Sequence, residues 1–235
     1  MRSVSRAILC LIALVVVAGC ASTKVSDRQV LVAGQLPRPN HIFVYDFVAT
    51  PADLPADSPL AGGHSGGTAQ TAEQIATGRQ LGAQIAAQLV EEIRGMGLPA
   101  ERASSGTRPQ INDYVIRGYL ISIDEGSAAK RVALGFGSGA SQLKTAVEGY
   151  LMTAQGLRKL GSGTVDSGGS KAPGTALPLA VAIASGNPLG LIVSSGMKVY
   201  GEASGSSKVE GRAEQTAKEI ADVLKTRFQQ QGWIK

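Results

Sequence analysis

The sequence predicts an α+β fold: a mainly antiparallel sheet with two long helices packed on one side and a short apolar hairpin insertion. Three observations carry this. Apolar runs at 42–48, 114–123 and 143–154 have the two-residue alternation or the continuous apolar character of strands. Stripes at 72–96 and 208–230 recur at helical spacing. The order β-α-β-β-β-insertion-α brings both helices to one side of one sheet. The 235 residues are 43% hydrophobic, which supports one real core and excludes intrinsic disorder. The 30 glycines follow no three-residue period, which excludes collagen.

Residues 1–20 open with Arg2 and Arg6, continue as an uncharged run from Ala7 to Ala18, and close on small residues. That is the three-part layout of a secretory signal peptide, and the run is short of the roughly 20 apolar residues that span a bilayer. The formal charge of +5 drops to +3 without this leader, which holds two arginines and no acid. The remaining Lys and Arg are scattered, so nucleic acid is not an expected partner. Val17-Ala18-Gly19-Cys20 resembles a bacterial lipobox. The resemblance implies a signal peptide at 1–19, cleavage before Cys20, and thioether diacylation and N-acylation of that residue. Cys10 lies in the leader, so Cys20 would be the mature chain's single cysteine and no internal disulfide could form. Several acyl chains anchor a protein firmly where one does not. Ala21 and Ser22 follow where, by similarity to known lipoproteins, Asp would signal inner-membrane retention. The outer membrane is therefore the expected location, with the chain facing the periplasm.

Residues 20–40 read as a lipid-anchored tether ending at Pro37 and Pro39, and 41–235 as a single domain with an apolar insertion at 172–197. The segment 42–48 is apolar on both faces and reads as a central strand. Residues 50–70, rich in Pro, Gly and Ser, read as a loop. Leu81, Ile85, Leu89 and Ile93 form the stripe of the first helix, and Gly78, Gly82, Ala86 and Ala87 keep it thin enough to approach a sheet closely. Residues 98–103 read as a short edge strand, and Gly118 in the next strand marks a bulge or close packing.

Extended over 131–141, the chain places Gly135, Gly137 and Gly139 on one face bare of side chains, with Ser141 next in the same register. This face is the candidate packing or partner-contact surface. Leu143, Val147 and Leu151 face inward from the following strand while Lys144 and Glu148 face outward, as on a half-exposed strand. Residues 156–174 read as a second Gly/Ser loop. Residues 172–197 hold no charge, and Gly186-Asn187-Pro188 divides them into halves of about 15 Å as helix, half a hydrocarbon core. In the last helix Ala213, Ala217, Ile220, Leu224 and Phe228 form the stripe, and Trp233-Ile234 folds back as an apolar clasp.

No catalytic constellation emerges. Gly63-His64-Ser65-Gly66-Gly67 matches G-x-S-x-G, but no histidine follows to act as base. Ser141-Gln142-Leu143-Lys144 matches S-x-x-K, but on a strand the two side chains diverge. Gly135-x-Gly137-x-Gly139 lacks the following helix and Lys-Ser/Thr pair of a phosphate loop. His41 and His64 are the only histidines, and no Cys/His spacing fits a metal, so neither cofactor nor metal is expected.

Gly126-Ser127 with Arg131 and Leu134 to Leu143, Gly186 to Ile192, and Gln231-Gly232-Trp233-Ile234 form three notable stretches. Together they resemble the Gram-negative lipoprotein family known as domain of unknown function 4410. The element order is more loosely similar to the periplasmic domain of the curli secretion lipoprotein. The family resemblance implies an exported, lipid-anchored protein with no known activity. The expected role is a non-enzymatic envelope binding or assembly factor, held by membrane lipid through Cys20 and contacting an envelope protein or further copies of itself. The alternative is an oligomeric membrane-inserting pore or export component.

Overall fold

The computed structural model describes residues 23–32, 34–50, 53, 71–124, 142–168 and 206–235. In chain order the elements are β1 (Thr23–Val30), β2 (Ile42–Tyr45), α1 (Ala72–Gly95), β3 (Ala100–Ala103), β4 (Tyr114–Asp124), β5 (Gln142–Thr153), β6 (Gly156–Gly168) and α2 (Ser206–Gln230). The strands form one sheet in the order β1-β6-β5-β4-β2-β3.

The fold is α+β, with a mixed sheet where a mainly antiparallel one was expected. β1, β6, β5 and β4 pair antiparallel, whereas β2 pairs parallel with both β4 and β3. The cause is the crossover. α1 carries the chain from one end of β2 back to the start of β3, and a helical return of this kind forces neighbouring strands to run the same way. β3 lies at the sheet edge, as expected, and β2 sits between β4 and β3.

Two segments differ from expectation. The tether predicted at 20–40 carries β1, which is antiparallel to β6, and β6 occupies most of the stretch 156–174 read as a loop. Neither strand has an apolar alternation. What makes β6 a strand is hydrogen bonding on both edges, with Gly161 and Gly163 sparing side chains beside β1. A Cβ at Gly161 would lie 2.5 Å from the Gln29 carbonyl oxygen. The predicted hairpin at 172–197 and the glycine face at 131–141 lie outside the described residues.

Both helices form where their stripes predict. Thr71 caps α1 by accepting from the Gln74 backbone N–H at 3.2 Å, and the Gln74 side chain accepts from Thr71 N–H at 2.9 Å. The α1 residues Leu81, Ile85, Leu89 and Ile93 are buried, as are Ala213, Ala217, Ile220 and Phe228 on α2. They share one core with Ile42, Val44, Ile116, Leu120, Leu143 and Val165, so the helices cover one face of the sheet. The clasp closes this core: Trp233 packs 5.2 Å from the Phe228 ring and donates from Nε1 to the Leu36 carbonyl at 3.1 Å.

Gly82 sits against the backbone of Phe47, whose N–H donates to the Gly82 carbonyl at 3.2 Å. The ring of Phe47 in turn lies over Gly118, which confirms close packing at that glycine. Gly82→Val would drive a side chain into the Phe47 carbonyl, and we expect a loss of about 3 kcal/mol in urea unfolding. Gly95→Ala meets open space and should change stability by less than about 1 kcal/mol in the same measurement.

Tyr114 stands in this core between Phe228 and Trp233, and burial pushes its hydroxyl up to about 12. The fold therefore favours the protonated phenol. Its stabilising effect is complete below the unfolded value of about 10 and declines as pH rises towards the folded value, by about 1.4 kcal/mol per unit. Urea unfolding between pH 9 and pH 12 should show this alkaline slope in the native chain, and Tyr114→Phe should reduce it.

Candidate functional site

The face of the sheet away from the helices carries charge. Strand alternation places Val115, Arg117 and Tyr119 of β4 there, opposite Tyr150, Glu148 and Ala146 of β5. Tyr150 in turn pairs with Lys159 of β6. Glu148 is only 4% exposed, where the sequence predicted an outward-facing carboxylate. Its Oε2 accepts from the Tyr150 hydroxyl at 2.6 Å and from the Tyr119 hydroxyl at 3.0 Å. Its Oε1 accepts from Lys159 Nζ at 2.5 Å. Three donors from three strands thus compensate the desolvation that would otherwise make a buried carboxylate unfavourable.

Arg117 lies directly opposite Glu148 in the ladder and is 8% exposed. Its guanidinium carbon stands 5.6 Å from the ring centroids of both Tyr45 and Tyr150, a cation held between two aromatic faces. The Tyr150 hydroxyl is pushed well above its ordinary value, first by burial and then by donating to Glu148. It is therefore a fixed donor across the whole physiological range.

Arg117 and Tyr119 of this cluster also line a cleft of about 950 Å³, with Tyr45, Thr107 and Arg108 among its other walls. Two ion pairs brace it. Arg102 binds Asp46 through two bonds of 2.5 and 2.6 Å, and Arg79 on α1 reaches Asp53 at 2.6 Å. Partial burial raises the Asp53 carboxyl, but bonds from Arg79 and Thr50 outweigh it and hold the group below its ordinary value. Chemically the cleft offers hydroxyls, aromatic edges and cationic groups. The Glu148 oxygens are each already engaged, so this carboxylate holds Tyr119, Tyr150 and Lys159 in place.

Cys20, Gly135, Gly137, Gly139 and Ser141, the residues singled out from sequence, lie outside the described residues. The cluster that the structure does bring together was missed. Its signal was available: Arg117 interrupts the apolar run of β4, and Glu148 and Tyr150 alternate on β5. Among the described residues no group of three or more His, Cys, Asp or Glu could hold a metal. No helix among them is long and apolar enough to cross a membrane.

Residues 42–186 match the model of the family described as Domain of unknown function (DUF4410). The match spans more than half of the chain, which belongs to that family. No curated protein matches the chain. Among solved structures, a leucine-to-methionine variant of the PelC dodecamer from Paraburkholderia phytofirmans is 14% identical, with a TM-score of 0.37, over 73% of this chain and 96% of that one. A second PelC dodecamer structure from the same organism is 13% identical, with a TM-score of 0.35, over 69% and 91%.

Glu148→Leu should cost about 3 kcal/mol, because it strands Lys159 and two tyrosine hydroxyls without their acceptor. Adding Lys159→Met should restore part of that loss. A double-mutant cycle by urea unfolding at pH 7 measures the coupling; strict additivity would contradict the cluster as described.

Proposed function

We propose that this member of the DUF4410 family is a lipid-anchored envelope protein, outer-membrane and periplasm-facing, that binds a protein partner and performs no catalysis. The observation that carries the reading is the leader ending Val17-Ala18-Gly19-Cys20. Its layout suits export, and its single mature cysteine suits acylation. The position of β1 adds a geometric consequence. The strand starts at Thr23, so at most about 10 Å of chain can separate Cys20 from the sheet edge. Acyl chains on Cys20 would hold the domain close against the lipid surface, with little reach. The cleft floored by Arg117 is the surface we assign to the partner, since its cations and aromatic rings are the groups that dominate protein recognition.

A second reading, an oligomeric pore or export component, is favoured by the uncharged run at 172–197. Solubility separates the two. A chain beginning at Thr23 should be soluble without detergent as a binding domain and should require detergent if that run enters a bilayer.

Mass spectrometry of the membrane-extracted protein should show an acylated N-terminal Cys20. Cys20→Ala should release the chain from the membrane fraction. An unmodified thiol at this position would remove the basis of the proposal. In whole cells, a photoreactive group placed at Arg108 on the cleft should crosslink one defined envelope protein; a clean monomer would argue against binding.

A further inference from the structure

Asp113, immediately before β4, is a buried carboxylate, 2% exposed. Its Oδ2 accepts from the Gln110 backbone N–H at 2.6 Å. Its Oδ1 is shut off from solvent as well and makes no hydrogen bond among the described residues. A buried carboxylate oxygen without a donor is unfavourable, so this one calls for a partner. The group facing it is His41, immediately before β2, whose Nδ1 stands 3.7 Å away. β2 and β4 are parallel neighbours with Ile42 beside Tyr114, so the residues that precede them stand side by side. The His41 side chain is 57% exposed, with its ring 6.0 Å from that of Phe43.

The other charged groups on the surrounding elements have different engagements. Arg38, three residues before His41, donates from Nη2 to the Gly97 carbonyl at 3.2 Å. On β3, Arg102 is bound to Asp46 and Glu101 is exposed. Arg108, on the loop that carries Gln110, lines the cleft. On the β5 side, the neighbour of Asp113 is the uncharged Met152. Lys159 of β6 is held by Glu148. Among the described residues, the ion-pair partner of Asp113 is His41.

At 3.7 Å the two side chains are not hydrogen-bonded; a charge-assisted bond needs about 2.8 Å. A neutral imidazole carries its proton on either nitrogen, whereas a protonated one has a donor on both. We propose that His41 and Asp113 form a proton-operated latch between the starts of β2 and β4. On protonation, the exposed imidazole turns through the remaining gap of about 1 Å, and Nδ1–H donates to Oδ1. The latch secures one end of the strap 34–41, which joins β1 to β2. The other end is already tied to the clasp: Gln231 bonds the Leu36 N–H and the Gly34 carbonyl, and Trp233 bonds the Leu36 carbonyl. At the β2 end, Tyr114 N–H donates to the His41 carbonyl at 2.9 Å, and Asn40 N–H reaches the Asn112 carbonyl at 3.4 Å. Protonation adds to that end a tie that exists only in acid. The latch depends neither on acylation of Cys20 nor on a partner in the cleft.

The sign follows from linkage. An imidazole ordinarily titrates at about 6.5. A histidine that gains an anionic partner on folding contributes stability that is complete below that value and is lost as pH rises past it. The test is urea unfolding of the full chain and of His41→Gln at pH 5.5 and pH 8. The folded-to-unfolded ratio of the native chain, divided by that of His41→Gln, should be about threefold larger at pH 5.5 than at pH 8, a small factor because solvent screens the exposed imidazole. Asp113→Asn should abolish this pH-dependent difference, and Glu101→Gln should leave it intact. Amide exchange gives a second readout that needs no change at Asp113. Protection of the Tyr114 amide, bonded to the His41 carbonyl, should rise about threefold from pH 8 to pH 5.5 in the native chain and stay level in His41→Gln. Parallel pH profiles for the native chain and His41→Gln would overturn the latch. A difference that survives in Asp113→Asn would also overturn it, because the acceptor would then be another group.

Discussion

The backbone of Phe47 lies directly against α1 at Gly82, and its ring covers Gly118 of β4. No side chain separates helix from chain at the first contact, and none separates ring from strand at the second. The N–H of Phe47 donates to the Gly82 carbonyl, and the next residue, Val48, donates to the Gly118 carbonyl at 2.8 Å and accepts from Leu120 N–H at 2.9 Å. The chain leaving β2 is thereby fastened to α1 and β4 at once. That junction sets how close α1 sits, and so which residues of its stripe reach Ile42, Val44 and Ile116. It also sets the far face, because β4 is the strand that presents Arg117 and Tyr119.

The two faces of the sheet then follow opposite rules, although the same strands build both. Towards the helices, Tyr114, Ile116 and Leu120 join an apolar core. Away from them, Tyr119, Tyr150 and Lys159 satisfy the Glu148 carboxylate, and the Arg117 guanidinium stands against the Tyr150 ring. Burial on the first face stabilises by removing apolar area from water. Burial on the second is tolerated because each charge has partners, and a half-complete cluster would be worse than an apolar one.

How much of this was legible in the sequence depended on side-chain periodicity. The helices were, because Leu81, Ile85, Leu89 and Ile93 repeat at four-residue spacing and Trp233-Ile234 follows the second stripe as a clasp. β2, β3, β4 and β5 were legible from apolar alternation or short apolar runs. β1 and β6 were not, because TKVSDRQV and GLRKLGSGTVDSG become strands through hydrogen-bonded neighbours that a linear reading does not supply. Parallel pairing around β2 was hidden for the same reason. At the site, the outward direction of Glu148 was correct, but its burial was not. Alternation gives the face of a residue, whereas burial depends on donors contributed from β4 and β6.

The sheet edges bear on where a partner could engage. An open edge offers unpaired N–H and carbonyl groups to any added strand, and folded proteins suppress this by shortness, charge or bulges. β3 is four residues long and carries Glu101 and Arg102. β1 breaks its register between Ser26 and Gln29, with Asp27 in the left-handed region at a φ of 51°. Such a break twists the strand away from the flat geometry that augmentation needs. With both edges guarded, recognition through backbone pairing is disfavoured. For that reason the binding reading rests on side chains that line the cleft, such as the exposed Arg108 and half-buried Tyr45, and not on strand addition.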